Sequence, residues 1–235
     1  MKVYITGDLH GEKAFIESIP ERCPELGSGD ILIIAGDFGL PWWSPDSEKS
    51  WEDKKLLNMF SNYNFTTCFV DGNHENFDYL RTVPYESHWG GQVQKIIDNV
   101  YHLCRGEIYT MNGKTIFTFG GATSADKMYR TEHISWWQEE NASQAEKDYG
   151  LTQLESLNWN VNYVITHTAP EQLYSVYKNN LFNKKFLHCP TQAYLTELFR
   201  HLDFDKWYFG HFHNDINSDR LKCRLLFNEI IELGQ

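Results

Sequence analysis

The sequence predicts an α/β protein, and three observations lead there. Short apolar runs alternate with stretches of helical spacing along the whole chain. Five of the runs finish within a few residues of an Asp, Asn or His. Residues 31–35, Ile-Leu-Ile-Ile-Ala, are continuously apolar, as expected of a strand covered on both faces. With 235 residues the chain can bury a sizeable core, and one domain over 1–235 is the simplest organisation.

In chain order, Val3–Thr6 is the first strand and runs into Gly-Asp-Leu-His-Gly. Residues 12–19 read as a helix that ends before Pro20, since the position before a proline disfavours helical backbone. The strand at 31–35 ends in Gly36-Asp37, and 51–60 have helical spacing through Trp51, Leu56, Leu57 and Phe60. Residues 66–70 form a third strand, ending in Asp-Gly-Asn-His-Glu. Short strands follow at 101–103 and Ile108–Met111, and Asn112-Gly113 is a hairpin turn into 115–119. Residues 121–142 show no period and hold Trp136 and Trp137, which suggests a cap-like insert. Residues 144–157 are helical, 163–165 a strand ending at Thr166-His167, and 191–202 helical again. The strand at 206–209 ends in Gly-His-Phe-His, and 225–231 close the chain as an edge strand.

Composition narrows the function. A net charge of −11 with no Lys/Arg run argues against generic nucleic-acid binding, although bound divalent cations would place positive charge in one cleft. No apolar run has membrane-spanning length, and the N-terminus lacks a signal-peptide core, so no membrane partner and a cytoplasmic location are expected. Five cysteines without a C-x-x-C spacing fit reduced thiols, with Cys68 and Cys104 as small core residues.

The strand ends carry the chemistry. They supply Asp8 and His10, Asp37, Asn73 and His74, His167, and His211 with His213. Strands aligned in one sheet would bring these side chains to one rim, where ligand sites of such sheets gather. Carboxylate, imidazole and amide oxygen suit Mn²⁺, Fe, Zn²⁺ or Ni²⁺, and seven ligands suit two ions if one carboxylate bridges. Asp37, alone in the middle of the order, is the natural bridge.

G-D-L-H-G, G-D, G-N-H-E, T-H and G-H-F-H, in this order from Asp8 to His213, resemble the calcineurin-like metallophosphoesterase superfamily. The resemblance implies a four-layer α/β/β/α sandwich of two mixed β-sheets flanked by helices, the metallo-dependent phosphatase fold. It implies two divalent metal ions, manganese foremost. Asp8, His10 and His213 would bind the first, Asn73, His167 and His211 the second, with Asp37 bridging. His74 matches the catalytic histidine, which either protonates the leaving oxygen or stabilises charge on the phosphoryl group. The implied reaction is attack of a metal-bridging hydroxide on the phosphorus of a phosphodiester or small phosphorylated substrate.

One departure separates the chain from the protein-phosphatase branch. That branch continues its second block as G-D-x-x-D-R-G, whereas this chain reads G-D-F-G-L-P-W-W. The phosphate-gripping arginine and the aspartate that orients the histidine therefore have no counterpart there. The G-H-x-H ending resembles the phosphodiesterase and nuclease branch. Protein phosphatase, nuclease and non-catalytic scaffold are the alternatives; intact ligands oppose the last, and the acidic charge opposes a nuclease. The missing arginine suggests that Arg130 or His133, in the insert, contacts substrate; a cap packed only by Trp136 and Trp137 is the competing reading. Trp42 and Trp43 would floor the pocket or stack on a base, with packing preferred for at least one. His102, His188 and His201 are assigned to surface or core packing.

Overall fold

The structure, a computed structural model, describes residues 1–178 and 189–235; His188 lies outside the described residues. Thirteen strands among these form two mixed sheets. The first holds β1 (Val3–Thr6), β2 (Ile31–Ile34), β3 (Thr66–Phe69), β4 (Tyr85–His88), β5 (Gly91–Ile97), β6 (Val100–Leu103) and β13 (Ile231–Glu232), in the order β13-β1-β2-β3-β6-β5-β4. Its central β1, β2, β3 and β6 are parallel. The second holds β7 (Ile108–Met111), β8 (Lys114–Phe119), β9 (Asn160–Thr166), β10 (Asp203–Phe209), β11 (Ile216–Ser218) and β12 (Cys223–Leu225), in the order β11-β12-β10-β9-β8-β7. There β8, β9, β10 and β12 are parallel.

Period-two alternation sorts the strand residues into layers. Val3, Ile5, Ile31 and Ile33 of the first sheet meet Tyr109, Ile116, Ile165 and Tyr208 of the second in one buried cluster. The alternate residues Tyr4, Leu32, Ile34 and Phe69 face outward, against α1 (Lys13–Arg22) and α2 (Ser50–Ser61). On the far side Phe117, Val164, Trp207 and Phe209 pack against α4 (Gln144–Ser156) and α6 (Pro190–His201). Helix, sheet, sheet, helix is the expected four-layer sandwich. Two short helices, α3 (Phe77–Leu80) and α5 (Tyr174–Tyr177), complete the set.

Several local expectations need correction. Helix α1 runs through Pro20 to Arg22. A proline at position 20 removes the N–H that would reach the Ile16 carbonyl, and the Tyr63 hydroxyl donates to that carbonyl instead, at 2.6 Å. Trp51, placed on the apolar face of α2 by its spacing, is 59% exposed, while Leu57 and Phe60 are buried. The single closing strand at 225–231 is two strands in different sheets, because Asp215 takes the backbone N–H groups of Phe227, Asn228 and Glu229 that a continuous strand would spend on a ladder. The hairpin of β4 and β5 was not foreseen; Trp89 and Gly90 turn it with φ of 49° and 92°. Asn112-Gly113 does turn β7 into β8, both residues with positive φ. Cys68 is buried as expected, but Cys104 is only partly so.

Candidate metal centre at the seam of the two sheets

The ligand-bearing loops leave the carboxyl ends of parallel strands in both sheets, not in one. Asp8, Asp37 and Asn73 follow β1, β2 and β3; His167 and His211 follow β9 and β10. The sheets present these ends at the same edge of the sandwich, so the loops meet across the seam. All eight sequence-predicted residues come together there.

They form two adjoining groups. In one, His213 Nε2 lies 3.0 Å from Asp8 Oδ2 and 3.1 Å from His10 Nε2. His10 Nε2 in turn lies 3.8 Å from Asp37 Oδ2. In the other, His167 Nε2 lies 3.1 Å from Asn73 Oδ1, 3.2 Å from His211 Nδ1 and 3.3 Å from Asp37 Oδ1. Asp37 stands between the groups with one oxygen toward each. Its backbone N–H partner, His74, donates to Oδ1 at 2.7 Å, and the His74 ring meets the His10 ring edge-on at 5.1 Å.

These residues fit cations better than they fit one another. The Ala35 carbonyl only accepts, so His167 Nδ1, 2.9 Å away, carries the hydrogen. In the neutral ring Nε2 is then a lone pair, and it faces the Asn73 and Asp37 oxygens, which are acceptors too. Burial alone would lower the His167 pKa, but the Asp37 carboxylate outweighs it and pushes the imidazole up to about 10. The pocket draws positive charge, which a divalent cation supplies without that proton. Asp8 Oδ2 is likewise buried, and its near neighbour is another candidate ligand, His213 Nε2 at 3.0 Å. Burial and the neighbouring His167 drive His211 down to about 3, leaving it a neutral ligand. The donors are carboxylate, imidazole and amide, with no thiolate.

The backbone is bent to serve this arrangement. His10, Asp37, His211 and His213 all have left-handed φ, between 46° and 66°, which non-glycine residues adopt at a cost. Close approach also explains two glycines. A Cβ at Gly36 would overlap His167 Nδ1, and one at Gly72 would overlap Asp37 Oδ1.

A layer of supporting residues went unnoticed in the sequence. Asn73 Nδ2 donates to Ser124 Oγ at 3.1 Å, which turns its amide oxygen into the site. Ser124 N donates in turn to the buried Glu140. Glu75, the last residue of G-N-H-E, accepts from the N–H groups of Phe38, Gly39 and Gly72 and ties two ligand loops together. Burial and the nearby Asp37 hold its pKa well above the ordinary carboxyl range. Asp71 is gripped by buried Arg105 at 2.5 and 2.8 Å, while His102 Nε2 lies 3.1 Å from it. Asp71 and Glu75 lie inside the Asp-Gly-Asn-His-Glu block; Arg105, His102, Ser124 and Glu140 are distant in sequence, and no local pattern ties them to the site.

The insert at 121–142 lies over the centre with two 3-10 turns and a buried Trp137. Of the two substrate-contact candidates, Arg130 is at the site: its Nη1 lies 3.0 Å from His74 Nδ1, and Asp126 holds the guanidinium. Burial and then Arg130 keep the His74 pKa low, against the pull of Asp37. His133 instead pairs with Asp78 at 3.0 Å. A cleft of about 330 Å³ opens there, with His10, His74, Arg130, Trp42 and Trp43 among the residues that line it.

The family model for calcineurin-like phosphoesterases matches residues 1–215. The chain belongs to this family. It is a family of phosphoesterases, hydrolases of phosphoester bonds. Lariat debranching enzymes are among its relatives: that of Drosophila melanogaster is 27% identical over 237 residues, covering 91% of this chain and 43% of the relative. The Mus musculus and Homo sapiens enzymes are 25% and 24% identical, each with 91% of this chain and 42% of the relative covered. The chain thus spans about two fifths of the length of these phosphoesterases. In fold it is similar to the crystal structure of phosphopantetheinyl hydrolase from Mycobacterium tuberculosis, with a TM-score of 0.51 at 16% identity, covering 97% of this chain and 90% of that one. No helix among the described residues is long and apolar enough to cross a membrane.

Proposed function

We propose that this phosphoesterase hydrolyses a phosphodiester, or a related small phosphorylated compound, with two divalent cations held by Asp8, His10 and His213 and by Asn73, His167 and His211. Asp37 is shared between the two. The observation that carries the reading is the convergence of these side chains, with Asn73 and Asp37 oxygens 3.1 and 3.3 Å from His167 Nε2 in a buried pocket that draws positive charge. Manganese is the first candidate from the donor set. Bound there, the cations supply Lewis-acid charge for a phosphoryl oxygen and lower the pKa of the attacking water.

The chain's own residues do the rest. Asn73 keeps its oxygen inward through Ser124. His74 sits at the cleft wall, where it protonates the leaving oxygen or stabilises phosphoryl charge. Arg130 takes the part of the arginine missing after Asp37, and it balances negative charge on the substrate beside His74. Residues 121–142 act as a cap within a single domain. A reducing, cytoplasmic setting is supported by five free cysteines. A nucleic-acid diester is a second reading, favoured by the lariat debranching relatives; the net charge of −11 weighs against a long backbone-tracking surface.

The test is a rate panel on bis-p-nitrophenyl phosphate, p-nitrophenyl phosphate and cyclic nucleotides, with Mn²⁺ and after chelation. Diester hydrolysis lost on chelation and restored by Mn²⁺ is expected. Activity surviving complete metal removal overturns the mechanism, and activity on monoesters alone overturns the diester assignment. Arg130→Ala should lower kcat/KM by about 10- to 100-fold; an unchanged value removes its assigned role.

A further inference from the structure

The two tryptophans after Asp37 have different surroundings. Trp42 stands edge-on to the buried Trp137, with ring centroids 5.4 Å apart, and its carbonyl accepts from Asn76 at 2.8 Å. It is a packing residue. Trp43 belongs to no core cluster among the described residues. Its backbone N–H donates to Asp53 at 2.6 Å, and the Lys49 ammonium lies over its ring, 4.5 Å from the centroid. The indole is therefore held in place from its backbone yet left out of the core, and it lines the same cleft as His10, His74 and Arg130.

We propose that Trp43, with Leu40, Leu56 and Glu52, forms a nucleobase subsite beside the metal centre, selective for bases that carry an exocyclic amino group. The proposal rests on the phosphodiesterase reading above and names its substrate class. A half-buried indole in a reaction cleft is a stacking platform, and Leu40 and Leu56 offer further apolar surface around it. Glu52, at the start of α2, lines the same cleft. A carboxylate only accepts, so it selects edges that donate, which adenine, guanine and cytosine present through their amino groups. Uracil and thymine have no amino group and offer a carboxylate only an N3–H flanked by two carbonyl acceptors, a poorer match. At about 330 Å³ the cleft lies at the small end of ligand pockets. That volume, together with the acidic surface, suits one nucleotide unit joined through its phosphate to a leaving alcohol, with the base on Trp43 and the phosphate toward Arg130.

The experiment uses the Mn²⁺-loaded full chain and the p-nitrophenyl esters of AMP, GMP and UMP, with bis-p-nitrophenyl phosphate as the base-free reference. The AMP and GMP esters should exceed the reference in kcat/KM by about tenfold or more, and the UMP ester should fall below them. Trp43→Ala should reduce the AMP-to-reference ratio by about 10- to 100-fold through KM. Trp43→Phe, which keeps a ring, should retain most of it, and Glu52→Gln should shrink the gap between the AMP and UMP esters. An equal loss on all substrates with Trp43→Ala, or no preference of the wild type for nucleotide esters, overturns the subsite. Calorimetry with AMP and UMP separates the two readings. AMP binding without turnover of any diester keeps the subsite and sinks the phosphodiesterase assignment, whereas turnover of the reference without nucleotide binding does the reverse.

Discussion

Replacing Arg105 by Met isolates the charge that holds the Asn73 loop. The guanidinium reaches Asp71 Oδ2 with Nε at 2.8 Å and Nη2 at 2.5 Å, and the side chains are 5% and 1% exposed. It also donates to the Glu139 carbonyl at 2.8 Å. Removing one partner of a buried pair strands the other, at a typical cost of about 3–5 kcal/mol. His102 stays 3.1 Å from Asp71, and Glu146, which meets the outer edge of the guanidinium, is 41% exposed and loses little. The expected loss is therefore about 3 kcal/mol at neutral pH, a fall in Tm of roughly 6–12 °C for a chain of this size.

The pH dependence gives the sign. Burial raises Asp71, but Arg105 and His102 outweigh it and hold the carboxyl at about 2. Against an unfolded value near ~3.9, this contributes about 2.5 kcal/mol, present above pH ~4 and lost as pH falls through about 2. With Met at 105 burial stands less opposed, so the Asp71 pKa rises. The penalty of the variant should then shrink as pH is lowered from 7 toward 4, while the wild type loses little over that range through this group. Urea unfolding followed by tryptophan fluorescence at pH 7, 5.5 and 4 reads both trends. The double variant Arg105→Met/Asp71→Asn should recover at least half of the loss. A single-variant loss under about 1 kcal/mol, or a double variant no more stable than the single, would refute the assignment.

Three further outcomes follow from the geometry. Tyr63→Phe removes the donor to the Ile16 carbonyl left free by Pro20 and should cost about 1 kcal/mol in urea unfolding, with α1 otherwise intact. Gly72→Ala drives a methyl group into the Asp37 carboxylate; a loss of about 1–3 kcal/mol by thermal melting and a fall of more than tenfold in Mn²⁺ affinity by calorimetry are expected. Asp37→Asn keeps the shape but removes the shared charge, so the protein should bind at most one Mn²⁺ equivalent by elemental analysis and lose diester hydrolysis by at least about 10³-fold.

What could be read from the sequence and what could not divide along sequence distance. The convergence of the candidate site residues was legible because each strand delivers its own chemistry locally: Asp8, Asp37, Asn73, His167 and His211 all sit one to four residues past a strand. The division of those strands between two sheets was not visible in the residues themselves, since nothing in 163–165 says whether it pairs with 31–35 or with 206–209. The family resemblance implied two sheets without assigning the strands to them. Supporting residues were invisible for the same reason. Arg105 is 34 positions from Asp71, and Ser124 is 51 from Asn73, with no local pattern announcing either contact. At Pro20 a local rule gave the wrong boundary because a side chain from another element, Tyr63, met the stranded carbonyl.

The left-handed ligands show how the centre is held together. A non-glycine residue with such backbone costs on the order of 1 kcal/mol, and four occur here within one site. Histidine and aspartate have no local need for that conformation, so the surroundings must impose it. They do so by tying each ligand loop to another ligand loop. Leu9 and His10 N–H donate to the Asp37 carbonyl at 3.0 and 2.7 Å, and Gly11 donates to Phe38 at 2.9 Å. His211 N–H donates to Asp8 Oδ1 at 3.0 Å, Gly210 N–H to the His167 carbonyl at 3.0 Å, and His74 N–H to Asp37 Oδ1 at 2.7 Å. The first and last of these cross from one loop to the next within a sheet, while His211 to Asp8 crosses the seam between sheets. This bracing runs through protein atoms, so the fold itself helps to orient the candidate ligands. The loops consequently stand or fall together, and substitutions at two of them should be strongly non-additive.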